Sequence, residues 1–331
     1  SYSTLFIKTD GSLWGMGGDS FAQLPDETSS DASIPAQLAT GVFSASAGLS
    51  HGVLIKNNGR LWAMGDDRWG QAGAGSNTIR THPVQIFSEV SNVSSGYRHS
   101  LYLNKSSPIL IATDVKSMAA GYAHTLFLKS DETLWAVGSN SEGQLGDGTK
   151  TNRATPVQIA SDVRTLSAGW YSSFYVTNEG TLWATGYNSK GQLGDGTTSE
   201  KLTPVPVATG VTQISAGYEH SLFIKLDRTL WAMGNNAEHQ LGDGTLSDRV
   251  SPVKIASNVI AAATGESHSL YVGSDRTLWA MGDGGQGQLG TSEISHLPVP
   301  ITTGVTAVSA GLNHSLFRKR DGSLWGMGNN S

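Results

Sequence analysis

The chain has 331 residues with 41 Gly, 9 Trp and no Cys, 15% charged residues and a net charge of −5. The aromatic content and the low fraction of charged residues exclude a disordered chain. Abundant Gly argues against a helical bundle, and the lack of Cys excludes disulfide scaffolds and thiolate metal sites. The small net charge without a basic run predicts no nucleic-acid partner, and the lack of an apolar run of about 18 residues predicts no membrane insertion.

The predicted elements follow one order in every repeat, and residues 204–251 show it well. Short alternating runs occupy 204–208, 211–217, 220–225 and 229–234, and a polar, Gly-rich stretch follows at 235–251. Each run has about five residues, β-branched or aromatic content and turn residues on both sides, which predicts short strands joined by hairpins. Four strands in roughly 48 residues is the size of one propeller blade.

Three markers recur in fixed phase along the chain. The dipeptide Leu-Trp occurs at Trp14, Trp62, Trp135, Trp183, Trp231, Trp279 and Trp325. A Gly-x-x-His turn recurs with histidine at His51, His99, His124, His220, His268 and His314. The fourth of the seven turns carries Ser172 in place of histidine. A proline lies 13 residues before each turn glycine, at Pro35, Pro83, Pro108, Pro156, Pro204, Pro252 and Pro298.

These markers predict an all-β fold, a β-propeller with four-stranded blades, in one domain over residues 1–331. Seven proline-initiated strands favour seven blades, and eight is the alternative if the two terminal half-repeats each complete a blade. The repeat near 99–121 is irregular, because 73 residues separate Trp62 from Trp135 where two 48-residue repeats are expected. A true deletion and an omitted segment both explain this gap.

The pattern Ala-Gly-x-x-His-Ser-Leu-x-x-Lys-x-Asp-Gly-Thr-Leu-Trp-Ala-x-Gly, clearest at 120–149 and 216–245, resembles the regulator of chromosome condensation repeat. The resemblance implies a seven-bladed β-propeller. The regular Leu-Trp-Ala-Met-Gly motif resembles the bacterial branch of that family. This resemblance implies a secreted or cell-surface protein and leaves a cytoplasmic location open. The wedge used by nucleotide-exchange members is missing, so that activity is not expected.

The candidate ligand-binding surface is an arc of aromatic residues at one turn position. Tyr97, Tyr122, Trp170 and Tyr218 occupy that position in consecutive repeats, and Arg98 lies beside the first of them. Tyr and Trp are enriched in binding hot spots, so these residues are predicted to bind a ligand. Trp69 is a further candidate, because it falls in a loop outside the Leu-Trp pattern. Local packing is the alternative for each.

The repeated residues themselves are predicted to be structural. Each turn histidine is expected to bond backbone within its own blade, and each Leu-Trp tryptophan is expected to pack between blades. The Gly-Asp-Gly-Thr loops at Asp147, Asp195 and Asp243 carry one carboxylate each, too few for calcium, so each Asp is expected to bond backbone amides. No metal site is predicted.

The function favoured by the sequence is a non-catalytic binding scaffold for a protein or glycan partner, in a monomeric propeller. No catalytic residue and no cofactor are predicted, because no nucleophile elbow, zinc-protease, phosphate-loop or dinucleotide motif occurs. The alternatives are a polysaccharide lyase or hydrolase built on a propeller, and a secreted enzyme inhibitor suggested by fold analogy. The ligand's identity depends on loop residues that the repeat does not specify.

Overall fold

A computed structural model describes residues 3–19, 22, 24, 32–68, 79–88, 90–95, 100–104 and 111–329 of the protein. In this part of the chain every regular element is a β-strand. None of the described residues forms a helix that is long and apolar enough to cross a membrane. The strands are grouped in two compact units, residues 1–115 with 330–331 and residues 116–329. The single-domain prediction stays a prediction.

The first unit contains three antiparallel sheets. A three-stranded sheet contains β1 (Ser3–Ile7), β2 (Leu13–Gly17) and β3 (Ala32–Ala39). A four-stranded sheet contains β4 (Val42–Ala47), β5 (His51–Lys56), β6 (Leu61–Asp66) and β7 (Ile79–Phe87). A hairpin contains β8 (Val90–Ser95) and β9 (Ser100–Asn104).

The second unit contains five blades, which we label A to E in chain order. Blade A contains β10 (Val115–Ala120), β11 (His124–Lys129), β12 (Leu134–Gly138) and β13 (Arg153–Ala160). Blade B contains β14 (Val163–Ala168), β15 (Ser172–Thr177), β16 (Leu182–Gly186) and β17 (Lys201–Ala208). Blade C contains β18 (Val211–Ala216), β19 (His220–Lys225), β20 (Leu230–Gly234) and β21 (Arg249–Ala256). Blade D contains β22 (Val259–Thr264), β23 (His268–Gly273), β24 (Leu278–Gly282) and β25 (Ser295–Thr302), and blade E contains β26 (Val305–Ala310), β27 (His314–Lys319) and β28 (Leu324–Gly328).

The fold is the predicted one, an all-β, seven-bladed β-propeller with four-stranded antiparallel blades. Among the described strands, seven sheets have three or four strands. The two terminal repeats lie in separate three-stranded sheets, and the described part of the irregular third repeat forms the hairpin β8–β9. The number of blades therefore stays at seven.

The proline-containing strand ends a blade, whereas the sequence repeat was drawn as beginning with it. Pro204 is the fourth residue of β17, which pairs with β16 and is the outermost strand of blade B. Outermost strands tolerate proline because one side of the strand needs no ladder hydrogen bond. Gly210, with a φ of +69°, then carries the chain in a tight turn to the first strand of blade C.

The core of the second unit lies between neighbouring blades. One cluster joins Phe174, Val176 and Leu182 of blade B to Val211 and Phe223 of blade C. Each side chain in this cluster is at most 1% exposed. Burying a side chain of this size contributes about 2 kcal/mol, so apolar contact between blades is a major stabilising interaction.

Candidate functional site

The Gly-x-x-His turn is built around the imidazole ring. The amide of Gly265 donates to the carbonyl of His268 at 2.9 Å, which closes the turn. A Cβ atom on Gly265 would overlap the His268 ring, so only glycine fits at this position. The same overlap would occur between Gly121 and His124 and between Gly311 and His314.

In blades A, C and D the imidazole bonds a serine of the next blade, which corrects the prediction of a backbone bond within its own blade. Nε2 lies 2.9 Å from Ser173 Oγ for His124, 2.8 Å from Ser269 Oγ for His220 and 2.8 Å from Ser315 Oγ for His268. In blade D, His268 and Ser269 are adjacent, so one His-Ser dipeptide takes part in two interfaces, through His268 with Ser315 and through Ser269 with His220. Sequence spacing could not show this, because the bonded residues are 47 to 49 positions apart.

The buried histidines are neutral. Burial lowers the pKa of His220 to about 3 and that of His268 to about 4. Ser315 Oγ donates to the carbonyl of Gln288 at 2.9 Å, so it accepts a hydrogen bond from the Nε2–H group of His268. These histidines are at most 1% exposed and are part of the blade interfaces.

One interface differs from the others. Blade B carries Ser172 where blades A, C and D carry histidine. Ser221 of blade C, the counterpart of Ser173 and Ser269, is 1% exposed and its Oγ has no hydrogen-bond partner. The short Ser172 side chain replaces a ring that would otherwise reach this hydroxyl.

The turn that lacks histidine lies within a group of aromatic rings. Trp170 contacts Tyr122 of blade A edge-on, with centroids 4.8 Å apart, and Tyr218 of blade C, with centroids 3.5 Å apart. Tyr171 lies 5.2 Å from Trp170 and 5.3 Å from Tyr122. All four rings are partly exposed. We call Tyr122, Trp170, Tyr171 and Tyr218 the aromatic surface.

Backbone hydrogen bonds hold these turns together across blades. The amide of Tyr122 donates to the Trp170 carbonyl at 3.1 Å, and the amide of Trp170 donates to the Gly217 carbonyl at 3.3 Å. The equivalent turn residue of blade D, Glu266, donates to the carbonyl of Leu312 in blade E at 3.3 Å. The aromatic positions are therefore fixed by the blade arrangement rather than by side-chain packing alone.

The aromatic surface has an acidic side. Burial, followed by the negative charges of Glu219 and Glu266, raises the pKa of Tyr218 to about 12. Burial also raises the pKa of Glu266. Glu219 Oε2 accepts a hydrogen bond of 2.9 Å from Asn235 Nδ2, which orients this carboxylate.

The structure brings together three of the six predicted site residues, Tyr122, Trp170 and Tyr218. Tyr97, Arg98 and Trp69 lie outside the described residues. Tyr171 belongs to the surface but was not predicted, because it lies one position beyond the repeated turn residue. The signal that was available is the local departure from the repeat, where Trp-Tyr-Ser stands at 170–172 in place of x-x-His.

Trp183, Trp231 and Trp279 pack between blades, as the sequence predicts, whereas Trp325 of blade E is 50% exposed and departs from that prediction. Trp231 of blade C is partly buried against the cluster that joins blades B and C. Its ring stacks at 6.3 Å on Phe223 of the adjacent strand, and the Lys225 ammonium lies 4.9 Å from its centroid. Its Nε1 donates to Thr229 Oγ1 at 2.8 Å, which satisfies the polar end of the indole.

The Asp-containing loops are stabilised internally, which confirms that their carboxylates bond backbone amides. Asp147 Oδ1 accepts from the amide of Thr149 at 3.0 Å and from Asn140 Nδ2 at 2.9 Å, while Arg153 Nε donates to Oδ2 at 2.6 Å. Burial opposes ionisation here, but hydrogen bonds from Thr149 and Arg153 outweigh it and lower the pKa of Asp147. No group of three or more metal-ligating residues occurs among the described residues.

Comparison with known families gives the repeat its name. The model described as the regulator of chromosome condensation (RCC1) repeat matches residues 58–103, 131–176, 179–224 and 228–272. The chain belongs to the RCC1 repeat family. A second RCC1 repeat model matches residues 115–144, 163–192, 211–240 and 305–331. Among curated proteins, none matches the sequence significantly.

Three solved structures share the fold. The structure of Saccharomyces cerevisiae Prp20p has 16% identity and a TM-score of 0.69, over 99% of this chain and 94% of that chain. Human WBSCR16 has 20% identity and a TM-score of 0.65, over 90% of this chain and 80% of that chain. Yeast RCC1 (Prp20) bound to Kap60 has 17% identity and a TM-score of 0.67, over 100% of this chain and 90% of that chain. At these identities the likeness shows the fold alone.

Proposed function

We propose that this RCC1-repeat protein is a non-catalytic scaffold that binds a protein partner on the aromatic surface. The observation that carries this proposal is the continuous contact of Tyr122, Trp170 and Tyr218 across blades A, B and C, with Tyr171 beside them. A group of partly exposed aromatic rings is the usual centre of a protein interface.

Preorganisation favours binding at this surface. The rings contact one another and their turns are hydrogen-bonded between blades, so few rotamers are lost when a partner docks. Immobilising a flexible side chain at an interface costs about 0.5–1.5 kcal/mol, and rings that are already packed avoid most of that cost.

A protein partner fits this geometry better than a glycan. A sugar stacks on the open face of one ring, whereas Trp170 has Tyr218 3.5 Å from its centroid and Tyr122 edge-on at 81°. Glu219 and Glu266 add negative charge, which suits basic side chains on the partner. The similar yeast propellers are described with protein partners, Prp20p with Gsp1p and histones and yeast RCC1 with Kap60.

A non-catalytic role is consistent with where the candidate bases lie. His220 and His268 are at most 1% exposed and neutral, so they cannot exchange protons with a substrate. The repeated Asp side chains are bonded within their own loops. This arrangement gives no support to the lyase or hydrolase alternative.

We also propose a bacterial origin, a secreted or cell-surface location and a monomeric state. The proposed origin and location are supported by the regular Leu-Trp-Ala-Met-Gly motif, which occurs at Leu230–Gly234 and Leu278–Gly282. Sedimentation of the purified chain tests the monomer, and fractionation of the source organism tests the location.

The binding proposal is tested by selecting 12-residue peptides from a displayed random library on the intact chain, with a glycan array probed in parallel. We expect enriched peptides that carry basic residues and whose affinity falls at least about tenfold in Trp170→Ala and Tyr218→Ala. Phe43→Ala is the matched control, because Phe43 is an aromatic side chain in the first unit that is 65% exposed.

Melting curves establish that each variant is folded before its binding is compared. Peptide binding that survives both aromatic substitutions would refute the role of the aromatic surface. Array glycans whose binding depends on Trp170, with no peptide enriched, would replace the protein partner with a glycan.

A further inference from the structure

A groove of about 470 Å³ lies at the interface between blades B and C. Binding sites for small molecules commonly have volumes of about 300–1,000 Å³, so this groove has room for a small ligand or a short stretch of a polymer. Thr209, in the wall of the groove, precedes β18, whereas Tyr218 of the aromatic surface follows that strand. The groove and the aromatic surface therefore lie at opposite ends of β18 and are separate sites.

Rigid rings line both sides of the groove. Blade B contributes Pro206, and blade C contributes Trp231 and Pro252. The indole is held in place, because it stacks on Phe223 and its Nε1 donates to Thr229 Oγ1. Rings with fixed positions lose little freedom when a ligand packs against them, so the groove offers a preformed apolar surface.

Trp231 lies between two lysines on one side of blade C. Across the sheet it lies opposite Lys254 of β21 and opposite Phe223 of β19, and Lys225 is two residues after Phe223. Because side chains two residues apart in a strand share a face, Lys225, Trp231 and Lys254 face the same side of the sheet. The Lys225 ammonium lies 4.9 Å from the indole centroid, and Lys225 lines the groove. Among the described residues, neither lysine forms a salt bridge. We call these three residues the Lys-Trp-Lys row.

Asp227 lies between Lys225 and Trp231 in the chain, but its carboxylate is already bonded. Its Oδ1 accepts hydrogen bonds from the amide of Thr229 at 3.0 Å and from the hydroxyl of the same residue at 2.6 Å. These bonds, and then the charges of Lys225 and Lys254, lower the pKa of Asp227, so it carries one negative charge at neutral pH. Two positive charges against one negative charge leave the row cationic, in a protein whose net charge is −5. The local charge therefore favours an anionic ligand.

Among the complete blades A to D, blade C alone has this row. Blade A has Lys129 5.4 Å from the centroid of Trp135, but Gln158 lies opposite that tryptophan. Blades B and D have Thr177 and Gly273 at the position of the first lysine. The repeat accounts for the tryptophan but not for the two lysines together, which favours a role beyond packing.

We propose that the groove binds an acidic oligosaccharide, such as a short chain of uronic acids. The ammonium groups of Lys225 and Lys254 pair with the sugar carboxylates. Trp231 and the two prolines pack against the C–H groups on one side of the sugar rings. Thr181 and Thr209 line the groove, and their hydroxyls have no hydrogen-bond partner in the described part of the chain, so they bond the sugar hydroxyls. A uronic acid matches all three kinds of group, since its ring carries an apolar side, hydroxyls and a carboxylate.

Calorimetric titration of the intact chain with trigalacturonate tests this proposal, with the neutral galactose trisaccharide and a tetraglutamate peptide as comparison ligands. We expect saturable binding of trigalacturonate that weakens as the salt concentration rises, and no binding of the neutral trisaccharide. Lys225→Gln should weaken binding at least about tenfold, because it removes the charge and keeps the length of the side chain. Melting curves establish that each variant is folded.

Lys129→Gln is the matched control, because Lys129 makes the same contact with a tryptophan in blade A, and this variant should bind as the unchanged chain does. Trp170→Ala should also leave binding unchanged, so the outcome for the groove is separate from that for the proposed protein partner. Four results would overturn the proposal: no saturable binding of trigalacturonate, equal binding of the neutral trisaccharide, binding of tetraglutamate at least as tight as that of trigalacturonate, or equal weakening by the two Gln variants.

Discussion

Two neighbouring blade interfaces use the same fold position in different ways. Between blades C and D, the buried His220 bonds Ser269 at 2.8 Å. Between blades B and C, Ser172 takes the histidine position and Ser221 is left without a partner. We call these the His interface and the Ser interface. The two interfaces have similar apolar clusters, so the histidine is an addition to packing rather than a substitute for it.

The comparison separates what the fold needs from what one site adds. The Ser interface, which lacks an imidazole, is the one whose turn carries Trp170 and Tyr171. Trp170 contacts Tyr218 across this interface. A buried hydroxyl without a partner costs about 1–3 kcal/mol, which is the kind of cost that proteins carry at functional sites. The local loss of the repeat pattern and the aromatic surface therefore occur together.

The largest expected effect is the loss of stability in acid from the His-type interfaces. The pKa values of His220 and His268 are lowered in the folded protein, so the unfolded chain binds more protons as pH falls below about 6.5. Above that pH the histidines stay neutral in both states and do not lower the free energy of unfolding. Between that pH and pH 4, each histidine lowers the free energy of unfolding by about 3 kcal/mol. Urea titrations at pH 7, 5.5 and 4.5 measure this slope.

The control for this slope is His220→Ser, which converts the His interface into the Ser type. It should reduce proton uptake on unfolding by about one proton near pH 5. An unchanged slope in this variant would mean that His220 titrates normally in the fold.

His220→Ala should destabilise the protein by about 3 kcal/mol at pH 7, because it removes a buried ring and leaves Ser269 without its partner. The free energy of unfolding in urea measures this loss. Ser172→Ala is the matched substitution at the Ser interface and should change stability by less than about 1 kcal/mol. Equal losses at the two positions would remove the distinction between the interfaces.

The two serines on the receiving blades should also differ. Ser269→Ala should cost about 2 kcal/mol because the buried imidazole loses its hydrogen-bond partner. Ser221→Ala should be neutral or slightly stabilising, since it removes a buried hydroxyl that has no partner. Thermal and urea unfolding of the pair check this, and a larger loss for Ser221→Ala would contradict it.

The smallest expected effect is a gain. Ser172→His restores the repeat residue, and its Nε2 should reach Ser221 Oγ as His220 reaches Ser269. We expect about 1 kcal/mol of added stability. Urea unfolding measures it, and a loss of stability would show that the aromatic turn leaves no room for the ring.

Much of the fold was predictable because each repeat contains its own strand-forming runs and turn residues. Leu-Trp runs, turn residues and fixed spacing predict the short antiparallel strands that the described residues form. The blade boundary was misplaced by one strand. The sequence marks the proline strand clearly but does not show that Pro204 pairs backward with β16 and not forward with β18.

The candidate site was predicted in part. The shared turn position identified Tyr122, Trp170 and Tyr218, and a common position in adjacent blades is enough to expect proximity. Tyr171 and the partner of each histidine were missed, because both depend on side chains that meet across a blade interface. The exposure of Leu324, which is 42%, was not predicted either, because the sequence around it is that of a buried strand.

By itself the sequence determined the strand content, the repeat length, the turn glycines and the residue types at every blade position, since these depend on local periodicity and sterics. Tertiary structure alone decided which serines His124, His220 and His268 bond, that Ser221 has no partner, and that Trp325 is exposed although the equivalent tryptophans pack between blades. The physical reason is that burial and hydrogen bonding depend on the neighbouring blade, and residues about 48 positions away occupy that neighbour.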